Sequence, residues 1–486
     1  ASQRAPGAEM MAPTVREVCA EVLGRATPSP KERERVVTLA EELENRVERA
    51  AKEAGVRAEV RVEGSVAKDT WLSGEPDIDI FIRVPTTMPP TAFRTTLLEV
   101  ARKATEGYRR VERFAEHPYL EAVTDSIRVN IVPCYQTKPG EWISATDRTP
   151  FHTDYVKPRL DEALRGEIRL LKRFMKGTMT YGAEIKVGGF SGYLCELLVL
   201  SNDSFLNVLR VFADWGERRA IDYEGYYRGR EAEAKKIFEE PLIVVDPVDR
   251  GRNAASAVRR ERLDEFISAA RAFLSRPSLT FFYPPETKAL PTERLADAVK
   301  KRGSALVFVR FGRVKAVPDI LWGQLYKTQR SLRKMIQRHG FGVIRDRAWS
   351  DEGNVNMLIF ELEQRFLTPV RKHLGPPIGK RAECERFLQK HVASPNTVSG
   401  PRVEAGRWVV ETRRRCVDVV DLLYERLRDG GRGAGVAELI SKVIPNTLEV
   451  RVNEDISEFY SASHEFAGFL TEYLEGRPKW LRETYA

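Results

Sequence analysis

The stretch from Gly64 to Asp79, GSVAKDTWLSGEPDID, constrains this chain more than any other. Before it, Ala58, Val60 and Val62 alternate with Glu59, Arg61 and Glu63, which is the period of a strand. Gly64-Ser65 breaks that strand and opens a short helix, whose free N–H groups and Ser65 hydroxyl suit a phosphate. After Pro76 a second strand begins. Ile78, Ile80, Ile82 and Val84 form one face, and Asp77, Asp79 and Phe81 form the other. Two carboxylates two residues apart on a strand point the same way and repel unless a cation lies between them. Mg²⁺ prefers carboxylate oxygens together with substrate phosphates. A phosphate turn followed by a carboxylate pair implies metal-assisted nucleotidyl transfer. No Gly-x-Gly-x-x-Gly opens a helix and no Gly-Lys-Ser/Thr ends a phosphate loop, which excludes a dinucleotide-dependent dehydrogenase and a Walker-type NTPase.

The rest of the chain supplies a scaffold of several domains. A helix is expected over 31–53, with Val36, Val37, Leu39, Ala40, Leu43 and Val47 on one face, and another over 91–107, ended by Gly107. PYLEAVTDSIRVNIVP reads as a hairpin turning at Asp125-Ser126. This mixed unit, residues 1–153, is the expected catalytic head, with 1–13 disordered. Helical periodicity in PRLDEALRGEIRLLKRFMKG, FSGYLCELLVL and SFLNVLRVFADW predicts a helical neck over 154–275 that closes on a nucleotide. In the last third, SALVFVRFG, the helix LWGQLYKTQRSLRKMIQRHG, FGVIRDRAW and VNMLIFELEQ read strand–helix–strand–strand. That order suggests a ferredoxin-like or RNA-recognition-type half. The C-terminal region is read as a body, 276–330 and 406–486, around a basic tail, 331–405.

Charge and cysteine usage narrow the partners and the compartment. Net charge is +9, yet Lys327 to Arg415 alone holds 19 Lys and Arg against 9 Asp and Glu, so the remainder is near neutral. An excess confined to one window is the footprint of an RNA-docking surface, since phosphate contacts supply most of such affinity. Lys327, Arg330, Arg333, Lys334 and Arg338 fall on one predicted helix and are the candidates for RNA binding. The five cysteines are isolated, with no Cys-x-x-Cys pair, which supports neither zinc nor disulfides and fits a cytoplasmic protein. No run approaches the roughly 18 apolar residues of a membrane span, so no membrane role is expected.

Gly-Ser followed by Asp-x-Asp resembles the signature of the polymerase β-like nucleotidyltransferase superfamily. The fuller strings GSVAKDTWLSGEPDIDIF, HPYLEAV…VNIVPCY, SATDRTPFH, RLLK, YGAEIKVGGFSGYLCELL and VVDPVDRGRNAA are similar, in the same order, to the archaeal-type (class I) CCA-adding enzymes. The resemblance is dense from Gly64 to Ala255 and looser beyond. It implies an α+β multidomain fold: a polymerase β-like head, a helical neck and ferredoxin-like or RNA-recognition-type C-terminal domains. It also implies template-independent addition of C, C and A to the tRNA acceptor end from CTP and ATP. Asp77 and Asp79 would hold two Mg²⁺ ions. Gly64, Ser65, Lys68, His152, Lys172, Tyr181 and Arg252 would contact the nucleotide, with Arg252 facing the base. A homodimer is left open.

One position departs from the family pattern. The third acidic residue of the superfamily belongs on a later strand, before Ile131-Val132-Pro133-Cys134-Tyr135, and here that position is Asn130. Asp125 is the nearest carboxylate upstream, but it falls in the predicted turn and has the opposite parity. An amide cannot serve as a base, and general-base assistance is worth roughly 10²–10⁴-fold. Asn130 therefore points to weakened turnover with nucleotide and RNA binding intact. An inactive or engineered variant, a poly(A) polymerase-like enzyme and a non-enzymatic RNA-binding module are the alternatives.

Overall fold

The computed structural model describes residues 14–114, 118–124, 127–216 and 219–482. The expected disordered N-terminus and the predicted turn Asp125-Ser126 lie outside them. The chain divides into two compact units, 1–286 with 477–486, and 287–476. Among the described residues no helix is long and apolar enough to cross a membrane.

The first unit opens with two helices, α1 (Val15–Ala26) and α2 (Pro30–Glu53). Thr14 and Ser29 cap them, each accepting an N–H three residues on. Strand β1 (Glu59–Glu63) runs straight into the one-turn helix α3 (Gly64–Lys68), which Asp69 stops in the left-handed conformation. Then follow β2 (Asp77–Pro85), α4 (Pro90–Ala104), β3 (Arg109–Phe114), β4 (Pro118–Thr124) and β5 (Ile127–Gln136). The strands form one sheet in the order β1-β2-β5-β4-β3. Only β2 and β5 are parallel. The apolar faces predicted from alternation meet α2 and α4: Ile78, Ile80, Ile82, Val129 and Ile131 pack with Val36, Leu43, Val47, Phe93 and Leu97. Their carboxylate-bearing sides therefore face away from this core.

The neck contains α5 (Thr149–Val156), α6 (Glu162–Gly177), α7 (Gly192–Asn202) and α8 (Phe205–Ala213). It continues through β6 (Ala220–Ile221), α9 (Glu231–Ile237), β7 (Ile243–Asp246), β8 (Asp249–Asn253) and α10 (Arg260–Ser275). Its core is aromatic. Phe174 lies with Phe205, Phe266, Phe273, Phe281 and Phe282 at centroid distances of 5.4–6.0 Å. Phe281 and Phe282 lie beyond 275, and Trp480 stacks on Phe281 at 5.3 Å, so this core gathers residues from three parts of the chain. Val18 and Val22 of α1 join it rather than the sheet's core.

The second unit begins with α11 (Thr292–Arg302), β9 (Ala305–Phe311), α12 (Pro318–Arg338), β10 (Val343–Ser350) and β11 (Asn356–Leu362). Next come β12 (Val370–Pro377), α13 (Arg381–His391), β13 (Thr397–Glu404) and β14 (Arg407–Arg413). The unit ends with α14 (Val419–Leu427), α15 (Glu438–Thr447), β15 (Glu449–Val452), α16 (Ser457–Ala462) and α17 (His464–Glu475). Four strands pair antiparallel in the order β10-β11-β9-β15. With α12 after β9 and α14–α15 before β15, this is the ferredoxin-like arrangement expected from the sequence. A three-stranded sheet, β12-β14-β13, interrupts it after β11. The expected tail start at 331 falls inside α12, whose Leu325, Leu332 and Ile336 are buried in the core against the four-stranded sheet.

Candidate active site

Strand register builds the carboxylate face. Asp79 lies opposite Asn130 and Asp77 opposite Arg128 across the parallel pair β2–β5. The Asn130 Nδ2 donates to Asp79 Oδ1 at 2.9 Å, and Arg128 Nε is 3.4 Å from Asp77 Oδ1. Burial pushes the Asp79 carboxyl up to about 6 and raises that of Asp77 as well. For Asp77, Arg128 and Lys176 work against the rise, while the negative charges of Glu121 and Glu75 add to it. Gly64 sits over Asp79 with φ +70°, and a Cβ there would lie 2.2 Å from Asp79 Oδ2. Only glycine lets the turn approach the carboxylate so closely.

These residues fit a divalent cation. Two carboxylates share one face, their charged forms are disfavoured without a counter-charge, and the turn above them is kept free of side chain. Asn130 directs a donor, not a lone pair, at Asp79, so the expected third acidic ligand is missing from its position. Among the described residues no three acidic, histidine or cysteine side chains already converge on one point.

The segment after the turn is held by the neck. Arg165, Arg169 and Lys172 lie at i, i+4 and i+7 on one face of α6. Arg165 Nε donates to the Lys68 carbonyl at 3.2 Å. Arg169, fully buried, donates to the Trp71 carbonyl at 3.1 Å and to the Asp69 carbonyl and carboxylate at 2.6 and 2.8 Å. Lys172 Nζ donates to the carbonyl and hydroxyl of Thr70, both at 3.0 Å. Glu196, from α7, closes the arrangement: Lys68 Nζ lies 2.6 Å from one oxygen, and the Thr70 hydroxyl donates to the other at 2.6 Å. Lys172 Nζ is 3.6 Å from Glu196 Oε1. Two ammonium groups around one carboxylate leave a net positive charge buried beside the Gly64-Ser65 turn. Lys68 and Lys172, both predicted to touch nucleotide, are only 5% and 3% exposed. Tyr181 joins them, since a Cβ on Gly192 would meet its hydroxyl at 3.0 Å and Lys172 Nζ at 3.6 Å.

His152 and Arg252 meet at Asp246. His152 Nε2 is 3.0 Å and an Arg252 N–H 2.5 Å from Asp246 Oδ2, and the Tyr193 hydroxyl donates to Oδ1 at 3.0 Å. The imidazole stacks on Tyr193 with centroids 3.9 Å apart. Burial lowers the His152 pKa, so the ring is neutral at pH 7 and donates its Nε2–H to the carboxylate. Arg252 keeps 32% of its side chain exposed while Asp246 is fully buried. In the second unit, Lys327, Arg330, Lys334 and Arg338 form an exposed stripe along α12. Arg333 instead donates to the buried Asp346 at 2.6 Å.

Sequence reasoning did not reach Glu196, Thr70, Tyr193, Asp246, Arg165 or Arg169. Glu196 did leave a signal, as the one acid inside the apolar run GYLCELLVL.

Three family models match this chain: a nucleotidyltransferase domain over 41–152, the second domain of tRNA nucleotidyltransferase over 166–283, and the C-terminal domain of CCA-adding enzyme over 302–447. The CCA-adding enzyme of Methanothermobacter thermautotrophicus is 37% identical over 456 residues, covering 93% of this chain and 97% of that one. The chain belongs to the CCA-adding enzyme family. The CCA-adding enzymes of Methanosarcina barkeri, at 36% identity, and Pyrobaculum neutrophilum, at 38%, cover 89% and 86% of it, and each is itself covered to 94%. The family resemblance read from motifs therefore extends through the ferredoxin-like half.

In this CCA-adding enzyme, Asp246 is the group on which a pH test turns. Burial works to raise its carboxyl, but His152 and then Arg252 outweigh it and hold the group at about 2. A depressed folded pKa stabilises above the unfolded value near 3.9, and that share is lost as pH falls through about 2. Asp246→Asn is expected to lower stability at pH 7 by about 2–4 kcal/mol, because it leaves His152 and Arg252 without their charged partner. The gap between the unfolding temperatures of parent and variant should narrow from pH 4 to pH 2. A gap constant over that range would contradict the pairing.

Proposed function

We propose that this chain adds C, C and A to the 3′ end of tRNA from CTP and ATP without a template, in the cytoplasm. The observation that carries the reading is the Asp77–Asp79 pair, with Asp79 directly beneath Gly64, within a chain related along nearly its full length to CCA-adding enzymes. Gly64 and Ser65 grip the terminal phosphates. The buried positive charge of Lys68 and Lys172 around Glu196 biases that end of the cleft toward an anion, and Tyr181 borders it. His152, neutral and stacked on Tyr193, donates to Asp246, which in turn aims Arg252 at the incoming base. A guanidinium fixed at one edge and open at the other suits the acceptor atoms of cytosine and adenine.

In the transfer, the RNA 3′-oxygen bonds to the α-phosphorus. The bridging P–O bond breaks, pyrophosphate leaves with the electron pair, and the hydroxyl proton passes to a carboxylate of the site. Two Mg²⁺ ions, when bound at Asp77 and Asp79, supply the charge that eases hydroxyl deprotonation and stabilises the leaving pyrophosphate.

The direct test incubates the chain with Mg²⁺, labelled CTP and ATP, and tRNA lacking its 3′ end. A finite extension of C, C and A is expected. A long A tail would favour a poly(A) polymerase-like enzyme, and no extension with normal binding would make the chain an inactive homologue. Asp77→Ala with Asp79→Ala should abolish both extension and Mg²⁺-dependent CTP binding without changing the circular dichroism spectrum.

The α12 stripe supports an RNA-docking role. Reversing Lys327, Arg330, Lys334 and Arg338 together to Glu is expected to weaken tRNA binding and to flatten log affinity against log salt by about one unit per lost phosphate contact. CTP affinity should be unchanged. An unaltered salt slope would remove α12 from the interface.

A further inference from the structure

The acid absent from Asn130 has a neighbour that sequence spacing hides. In the parallel pair β2–β5, Asp79 is in register with Asn130. In the antiparallel pair β4–β5, Asn130 is in register with Glu121. Asp79, Asn130 and Glu121 therefore stand in one row across three adjacent strands. Residues in register share a sheet face, and their Cβ atoms lie about 5 Å apart. Glu121 is one strand further from Asp79 than Asn130 is, but it carries one more methylene. Its side chain is only 15% exposed, so it lies over the sheet and not out in solvent.

One oxygen of Glu121 accepts from Arg113 Nη2 at 3.1 Å. Arg113 belongs to β3, where it is in register with Tyr119, so this contact draws Glu121 toward the outer edge of the sheet. That explains why three acids do not yet converge. Arg113 keeps about a third of its side chain exposed and holds Glu121 by one hydrogen bond, so a divalent cation held by Asp77 and Asp79 competes for the same carboxylate. Turning about the side-chain torsions of Glu121 brings an oxygen back over Asn130, without moving the strand.

We infer that Glu121 supplies the third carboxylate of the cation-binding face, from the strand next to the one that carries Asn130. The ligand is a divalent cation, and the inference rests on the nucleotidyl-transfer reading above. Asn130 then has a different task, fixing Asp79 through its Nδ2–H. The chain would keep a full acidic face and its turnover, instead of running on two acids.

The test is a four-protein cycle: parent, Glu121→Gln, Asn130→Asp and the double variant. The first readout is Mn²⁺ binding, followed by loss of the free-ion magnetic resonance signal, with and without CTP and with no tRNA present. The second is single-turnover CMP addition. Glu121→Gln is expected to weaken Mn²⁺ binding about 10-fold and slow addition about 10²-fold. With Asp at 130, the same substitution should cost less than about 3-fold in either readout, because the acid then comes from the adjacent strand. Parent-like Mn²⁺ affinity in Glu121→Gln would overturn the inference. So would an equal loss in both backgrounds, which would make Glu121 only a strand partner for Arg113. Failure of the parent to extend tRNA would overturn the functional reading and leave the Mn²⁺ comparison to decide the role of Glu121.

Discussion

Glu196 is 1% exposed, and two ammonium groups and one hydroxyl hold its charge inside the protein. Burial works to raise its carboxyl, but Lys68 and then Lys172 outweigh it and keep the group ionised. Burial in turn lowers the pKa of Lys172. Each charge is tolerable only because the others are present. The consequence is mechanical as well as electrostatic. Lys68 ends the helix that Gly64 opens, Thr70 follows it, and Glu196 comes from the neck. The Gly64-Ser65 turn is therefore set by the neck as much as by the head's own sheet. Arg165 and Arg169 extend the same grip along α6. Without it, the positive φ of Gly64 and the turn's close approach to Asp79 would depend on five residues of α3 alone.

The head was legible in the sequence because its signals are local. Alternation over 77–84 sorts Asp77 and Asp79 from Ile78, Ile80 and Ile82, and the folded sheet keeps that sorting. The same parity placed Asn130 on the carboxylate face, where it bonds Asp79. The ferredoxin-like half was legible as an order of elements, since β9, α12, β10 and β11 follow one another directly. What stayed hidden involves partners far apart in sequence. Lys68 and Glu196 are separated by 128 residues, and His152 and Asp246 by 94. Lysine at the edge of an apolar helix usually sends its amine to solvent, yet Lys172 turns inward because Glu196 awaits it. Arg333 looked like one of five equivalent cations on α12, and only the fold reveals that Asp346 neutralises it. Register is the subtlest case. Glu121 and Asn130 are nine residues apart on two strands, and only the pairing of β4 with β5 makes them neighbours.

Two kinds of order thus meet at the site. The head contributes a rigid carboxylate face fixed by sheet register. The neck contributes cations and a guanidinium whose positions depend on buried acids, Glu196 for Lys68 and Lys172, and Asp246 for Arg252 and His152. In both acid hubs the residue that would touch nucleotide is held by one that would not.

The neck's hold on the turn is tested most directly by Glu196→Gln, which keeps shape and removes charge. Thermal unfolding is followed for parent and variant, each with and without saturating Mg²⁺ and CTP. The account predicts an unfolding free energy lower by about 3–5 kcal/mol in the variant, since two buried ammonium groups lose their counter-charge. It also predicts that CTP, which raises the parent's transition, leaves the variant's almost unmoved, because the turn is no longer set. A variant as stable as the parent, with the same CTP-induced rise, would contradict it.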